Sequence, residues 1–400
     1  MCDTLCAIGP RGALFGKNSD RPSAETQLIE AYPGRPAGRV RTQYLELESP
    51  DAFSLIGARP DWLWGFEHGV NERRVAIGNE KVWTRDNPFH AAPALIGMDL
   101  VRLGLERGRT ADHALEQMTA LLQEHGQGGI ADNHGKEPYF SSFLITNPTS
   151  GWVLETSGRT WVAAPVASSA AISNRLTIRN EWTRSSADVP AGADWDEWRH
   201  HSAPTGHADR RLAASRACLT ARDPASLTPA DFAAHLRDHG DGPWGAPGSD
   251  PGLIGTLPKE ALPDGTGVTV CMHIRGYQNT TSSMIAELPV DPDAPLRAWV
   301  APGSPCVSIY VPVFPPAVPA ALGETRTWER FAALRDCVER EPDALPALRA
   351  VLGPLESELW SEADDVAGRC DRHRAFVEGA WERVKDALGQ VEVSVASLIE

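Results

Sequence analysis

The chain has 400 residues, a formal net charge of −15 and a hydrophobic fraction of 42%. That length allows two domains or one large one, and the hydrophobic fraction is ordinary for a folded globular protein. The acidic balance argues against nucleic acid or an anionic membrane as a main partner, no apolar run reaches the ~18 residues of a membrane span, and no basic patch followed by an apolar core opens the chain as a leader would.

The opening residues carry the most chemistry. Cys2 follows the initiator methionine, and its side chain is small enough that excision of Met1 is expected, leaving Cys2 with a free α-amine. One residue then supplies a sulfur nucleophile and a nearby base, with unperturbed pKa values near ~8.5 and ~7.7–8.0. Leu5-Cys6-Ala7-Ile8 is an apolar run, Gly9-Pro10-Arg11-Gly12 is turn chemistry, and Ala13-Leu14-Phe15-Gly16 is a second apolar run. The pattern predicts a β-hairpin over residues 2–16, which ties down a terminus that would otherwise be loose. The return strand delivers Lys17, Asn18 and Asp20 beside Cys2. A cation there favours the thiolate, and a carboxylate can hold an ammonium.

Cys2, the short hairpin and Gly16-Lys17-Asn18-Ser19-Asp20-Arg21-Pro22 resemble the secernin and dipeptidase A family of N-terminal nucleophile hydrolases. More distant relatives with a similar opening carry Arg where Lys17 stands. The resemblance spans most of residues 2–312. It implies an αββα sandwich and a cysteine-dependent amide or peptide hydrolase of dipeptidase type, acting on small peptides or amides.

Farther along, Arg41-Thr42-Gln43-Tyr44-Leu45-Glu46-Leu47 alternates as a strand does, within a sheet region at 26–58. Trp62 and Trp64 read equally as core or as pocket wall. Val75-Ala76-Ile77 is a buried strand with Gly78-Asn79-Glu80 at its end. Asn79 alone reads as a turn residue or as an amide donor to an oxyanion, and the resemblance implies the oxyanion role. A helical period covers residues 93–125, with Thr110 capping the second helix and Gly126 ending it.

Strands return at 139–166, where Ser141-Ser142 stands in place of the Asn-Ser pair that the resemblance leads one to expect. Asn174 interrupts a β-prone run as a bulge or turn residue. The resemblance implies that it fixes the catalytic terminus. Residues 180–207 read as a long surface loop of the kind that often serves as a lid. A helix opens at Asp209, and Arg211 is placed by the family pattern as a second cation near the thiolate, with Arg210 and Arg216 nearly as eligible. Thr228-Pro229 starts another helix. Residues 238–267 are dense in Gly, Pro and Asp; 267–273, 280–288, 299–301 and 306–312 read as strands. From Glu324 onward the pattern is helical, either an appendage packed on the core or a homo-oligomer contact.

Seven scattered cysteines with no Cys-x-x-Cys pair give neither a disulfide framework nor zinc-site spacing, and His200-His201 has no ligand pattern. The expectation is a reduced, cytoplasmic protein without metal or cofactor. Cys271 and His273 share a strand face but read as a core thiol and its neighbour, and Cys6 likewise reads as core.

The reading is therefore an α+β fold, a four-layer αββα sandwich at residues 2–320 with a C-terminal helical extension at 321–400. The expected catalytic set is Cys2, Lys17, Asp20, Asn79, Asn174 and Arg211. The alternative is a secernin-like binding or regulatory protein whose N-terminal cysteine is modified or blocked.

Overall fold

A computed structural model describes residues 1–133, 136–240, 267–274 and 277–399. Most of the Gly-, Pro- and Asp-rich stretch, and Arg275-Gly276, lie outside the described residues. The strands in chain order are β1 (Cys2–Gly9), β2 (Gly12–Pro22), β3 (Gln27–Tyr32), β4 (Gly38–Arg41), β5 (Glu46–Ser49), β6 (Leu55–Pro60), β7 (His68–Asn71), β8 (Ala76–Val82), β9 (Ile130–Asp132), β10 (Glu137–Pro138), β11 (Phe140–Thr146), β12 (Gly151–Ser157), β13 (Thr160–Val166), β14 (Ser169–Ile172), β15 (Arg184–Ser185), β16 (His273–Ile274), β17 (Gln278–Pro289), β18 (Arg297–Pro302) and β19 (Val311–Val313). The helices are α1 (Gly97–Arg107), α2 (Ala111–His125), α3 (Thr205–Thr220), α4 (Pro229–Leu236), α5 (Thr325–Arg340), α6 (Ala344–Val366) and α7 (His373–Ile399).

Two antiparallel sheets form the middle of the molecule. One runs β14-β1-β2-β17-β18-β19, with β16 added beside β17; the other runs β15-β13-β12-β11-β8-β7-β6-β3. They face each other through β1 against β8 and β11, and α1 and α2 cover the outer face of the second sheet. Helices α3 and α4 cover β1, β2, β14 and β17 on the outer face of the first, and α6 and α7 pack on β19. The result is a mixed α/β sandwich of four layers, in which each sheet buries both faces.

The opening hairpin forms as its turn chemistry dictates. Cys2 pairs with Ser19, Thr4 with Lys17 and Gly9 with Gly12, and the return strand continues to Pro22. Gly12, at φ +140°, approaches the Leu288 carbonyl so closely that a Cβ would lie 2.1 Å from it. Local capping also holds: the Thr110 hydroxyl accepts from His113 N–H at 3.2 Å, and Thr228 and Asp231 cap α4 reciprocally. The apolar face of the C-terminal helices, including Phe331, Leu334, Leu359 and Val384, joins one core with Phe15, Met284 and Val300 of the first sheet.

Four local expectations change. Residues 42–45 form the turn between β4 and β5 rather than a strand. Asn79 sits in the middle of β8, not at its end. The expected strand at 267–273 shrinks to β16, because its backbone is tied elsewhere: Asn18 Nδ2 donates to the Val270 carbonyl at 2.8 Å, and Cys271 N–H donates to Asp238 O at 2.9 Å. The strand expected at 306–312 begins only at Val311, as β19. Residues 180–207 do run as a long surface stretch, pinned where Trp195 is fully buried and stacks on Trp198 at 4.7 Å. Among the described residues no helix is long and apolar enough to cross a membrane.

Candidate active site

Strand alternation sorts the opening residues onto two faces. Cys2 and Thr4 of β1, with their cross-strand partners Ser19 and Lys17, point toward the second sheet. Asp3, with Asn18 and Asp20 on β2, points toward the helical layer of α3 and α4.

On the first face Lys17 is completely buried. Its Nζ donates to the Asn79 carbonyl at 2.8 Å and to Glu80 Oε1 at 3.3 Å, and Thr4 Oγ1 donates to the same carboxylate oxygen. Burial alone would lower the Lys17 pKa, but Cys2, Glu80, Glu67 and Asp20 outweigh it and hold the ammonium charged. Burial pushes Glu80 up to about 7 against the pull of Lys17 and the Thr4 hydrogen bond. Burial likewise raises the Cys2 thiol, opposed by Lys17 and the terminal amine. Ionising the sulfur therefore carries a burial cost, and Lys17 lowers that cost.

On the second face Arg211 is buried and gathers three groups. Its Nη1 donates to the Cys2 carbonyl at 3.0 Å and to Asp3 Oδ2 at 2.6 Å, and its Nη2 donates to Asn174 Oδ1 at 2.8 Å. Arg210 and Arg216 are exposed. Arg211 thus grips the Cys2 backbone from the helical layer. Asn174 Oδ1 also accepts the Cys2 N–H at 2.7 Å, while its Nδ2 donates to Lys81 O at 2.9 Å. The nitrogen of Cys2 is therefore held by a side chain just beyond the edge strand β14.

Asp20 lies 3.8 Å from Arg211 through Oδ2 and accepts from Thr280 Oγ1 at 2.7 Å through Oδ1. Burial raises its pKa to about 6, against the terminal amine and Arg211. Its backbone N–H donates to Cys2 Sγ at 3.4 Å. The Met1 ammonium donates to the Asp20 carbonyl at 3.1 Å, not to its carboxylate, and to Gln278 Oε1 at 2.9 Å. Burial pulls that amine below its ordinary pKa. The Met1 side chain packs with Tyr277 against Val268, Met272 and Ile274.

Asn79 is buried behind this group. Its amide is best satisfied with the nitrogen toward Glu67, donating to the Glu67 carbonyl at 2.9 Å and to Oε2 at 3.3 Å. An oxyanion role requires one of those hydrogens to turn away from Glu67. Of the two tryptophans, Trp62 connects to the site: its Nε1 donates to Glu25 Oε2 at 2.9 Å, Glu25 pairs with Arg21, and Arg21 lies 3.4 Å from Glu67. Trp64 instead packs under Arg102.

Asp3, Glu67 and Thr280 complete the cluster and were not singled out from the sequence. Asp3 carried a signal in hindsight, being a charged residue in a strand that is otherwise apolar from Leu5 to Ile8. Glu67 and Thr280 carried none, since their roles depend on packing between distant segments.

No family model matches the chain. Among solved structures it is similar to conjugated bile acid hydrolase from Clostridium perfringens, with 12% identity and a TM-score of 0.43, over 74% of this chain and 88% of that one. It is also similar to penicillin V acylase from Agrobacterium tumefaciens, with 9% identity and a TM-score of 0.43, over 79% and 87%. A third similarity is to the Caenorhabditis elegans N-acylethanolamine-hydrolyzing acid amidase ortholog, with 12% identity and a TM-score of 0.40, over 73% and 94%. Likenesses this remote add no weight to the assignment. Fold and site by themselves define a four-layer antiparallel sandwich with a buried cysteine at the head of its first strand, a charged lysine on one side of it and an Arg–Asp–Asn cluster on the other.

Proposed function

We propose that the protein is an amide hydrolase that uses Cys2 as an N-terminal nucleophile once Met1 is removed. The observation that carries this reading is the way Cys2 is held. Its nitrogen rests on Asn174, its carbonyl on Arg211, and its sulfur lies on the side of the buried Lys17. Few purely structural roles call for so much polar machinery around one backbone unit buried among apolar layers.

In the proposed reaction the Cys2 sulfur attacks an amide carbonyl carbon while the thiol proton passes to the α-amine of the same residue. The neutral form of that amine is the one that can accept it. The oxyanion receives hydrogen bonds from the Asn79 amide, released from Glu67, and from a backbone N–H. Collapse expels the leaving amine with the proton returned from the α-ammonium, and water then hydrolyses the thioester. Asp20 and Asn174 position the amine, and Lys17 favours the thiolate.

The substrates we propose are dipeptides or similar small amides with an apolar group. The seat of Met1 against Val268, Met272, Ile274 and Tyr277 supports that choice, because excision vacates an apolar surface beside the new terminus. The same contacts favour one second reading: a chain that keeps Met1 fills its own site and acts as a binding protein without turnover. Chromatographic assay of a panel of dipeptides and N-acyl amides, with Cys2→Ala as control, separates the two. Turnover of apolar members that vanishes in Cys2→Ala supports the hydrolase; turnover of none by protein lacking Met1 overturns it.

A further inference from the structure

A second polar cluster lies apart from the Cys2 machinery. His239, Cys271, His273 and Cys306 each offer one ligand atom, and all four atoms lie within 4.8 Å of one another. His273 Nε2 is 3.5 Å from Cys271 Sγ and 3.2 Å from Cys306 Sγ. Donors placed 2.0–2.3 Å from a common zinc ion in a tetrahedron stand about 3.3–3.8 Å apart. The two His273 distances are close to such edges, and the remaining pairs, up to 4.8 Å apart, would close by as much as about 1 Å around an ion.

The surroundings fix the chemistry. His273 Nδ1 stands 2.8 Å from Glu339 Oε1, which also accepts from Asn279 Nδ2. A carboxylate on Nδ1 places the proton there and leaves the Nε2 lone pair aimed at the two sulfurs, the arrangement that orients metal-bound histidines. Cys271, His273 and Cys306 are buried, and His239 is partly buried. We infer that His239, Cys271, His273 and Cys306 form a closed structural zinc site. Two thiolates and two neutral imidazoles neutralise one divalent ion, and with four protein ligands no position is left open for a reacting water. On binding, each thiol releases its proton to solvent and no electron moves.

The site joins segments that the chain keeps far apart. His239 lies just beyond α4, Cys271 and His273 lead into β16, Cys306 sits between β18 and β19, and Glu339 comes from α5. Met272, between two of the ligands, donates its N–H to Thr280 Oγ1 at 2.9 Å, and that hydroxyl donates to Asp20. The metal would thereby hold the wall against which Met1 packs.

The test is metal analysis of the full chain purified without chelator, together with Cys271→Ser and Cys306→Ser. About one zinc per chain, lost in both variants, is expected. Because either variant could fail to fold, the wild-type chain is also refolded with cobalt, where thiolate-to-cobalt charge transfer and intense visible bands report a tetrahedral sulfur–nitrogen site. A chain without metal whose melting temperature ignores both zinc and chelator, a cobalt protein without those bands, or a Cys271–Cys306 disulfide in peptide maps would each overturn the site. None of these readouts depends on hydrolytic activity.

Discussion

Arg211 donates to the Cys2 carbonyl at 3.0 Å, so the helical layer holds the first strand by its leading residue. The same guanidinium neutralises Asp3, which is completely buried. Removing it strands a carboxylate in the interior, which typically costs about 3–5 kcal/mol. Arg211→Ala should lose that much in denaturant unfolding. Arg211→Lys should recover only a minor part, since an ammonium cannot serve Cys2, Asp3 and Asn174 in one plane. An Arg211→Ala chain as stable as the parent would refute this account of the cluster.

Lys17 is confined as well as charged. A Cβ on Gly78 would lie 2.6 Å from Lys17 Cδ and 2.9 Å from Thr4 Oγ1, so Gly78→Ala should displace the lysine. Lys17→Met removes the charge outright. A rise of one unit in the Cys2 pKa means roughly tenfold less thiolate at neutral pH. Alkylation of Cys2, followed by peptide mass spectrometry, should slow by about that factor or more in Lys17→Met and by less in Gly78→Ala. Unchanged rates would show that Lys17 does not govern the thiol.

Glu155 gives a test in pH. It accepts from Thr177 N–H at 2.6 Å and Thr177 Oγ1 at 2.8 Å, yet burial raises its pKa from 4.5 to about 7. A carboxyl that takes a proton more readily when folded supports the fold fully below its unfolded pKa. That support is lost as pH rises through the folded value. Glu155→Gln stays neutral and can keep the accepting oxygen. Its stability relative to the parent should improve by roughly 3 kcal/mol between pH 4 and pH 8. Parallel stability curves for the two proteins would contradict the shift.

What could be read from the sequence was local. The Gly9–Gly12 turn, the Thr110 and Thr228 caps and the break at Asn174 follow from short-range chemistry, and the structure has them where the residues put them. Arg211 could have been separated from Arg210 and Arg216 by periodicity alone, because Ala208, Arg211, Leu212, Ser215 and Leu219 form the buried stripe of α3. The strand expected at 267–273 failed for a tertiary reason, since Asn18 and Asp238 take its backbone bonds. Glu67 and the His239–Cys271–His273–Cys306 group were invisible because each joins segments dozens of residues apart. No spacing rule for contiguous motifs covers such sets.

The most direct measurement is the intact mass of the purified protein before and after a thiol-reactive amide-hydrolase probe, beside Cys2→Ala. A chain lacking Met1 that takes up a single adduct, with that adduct absent in Cys2→Ala, is the expected result. Retained Met1, or labelling that persists in Cys2→Ala, would contradict Cys2 as the catalytic terminus.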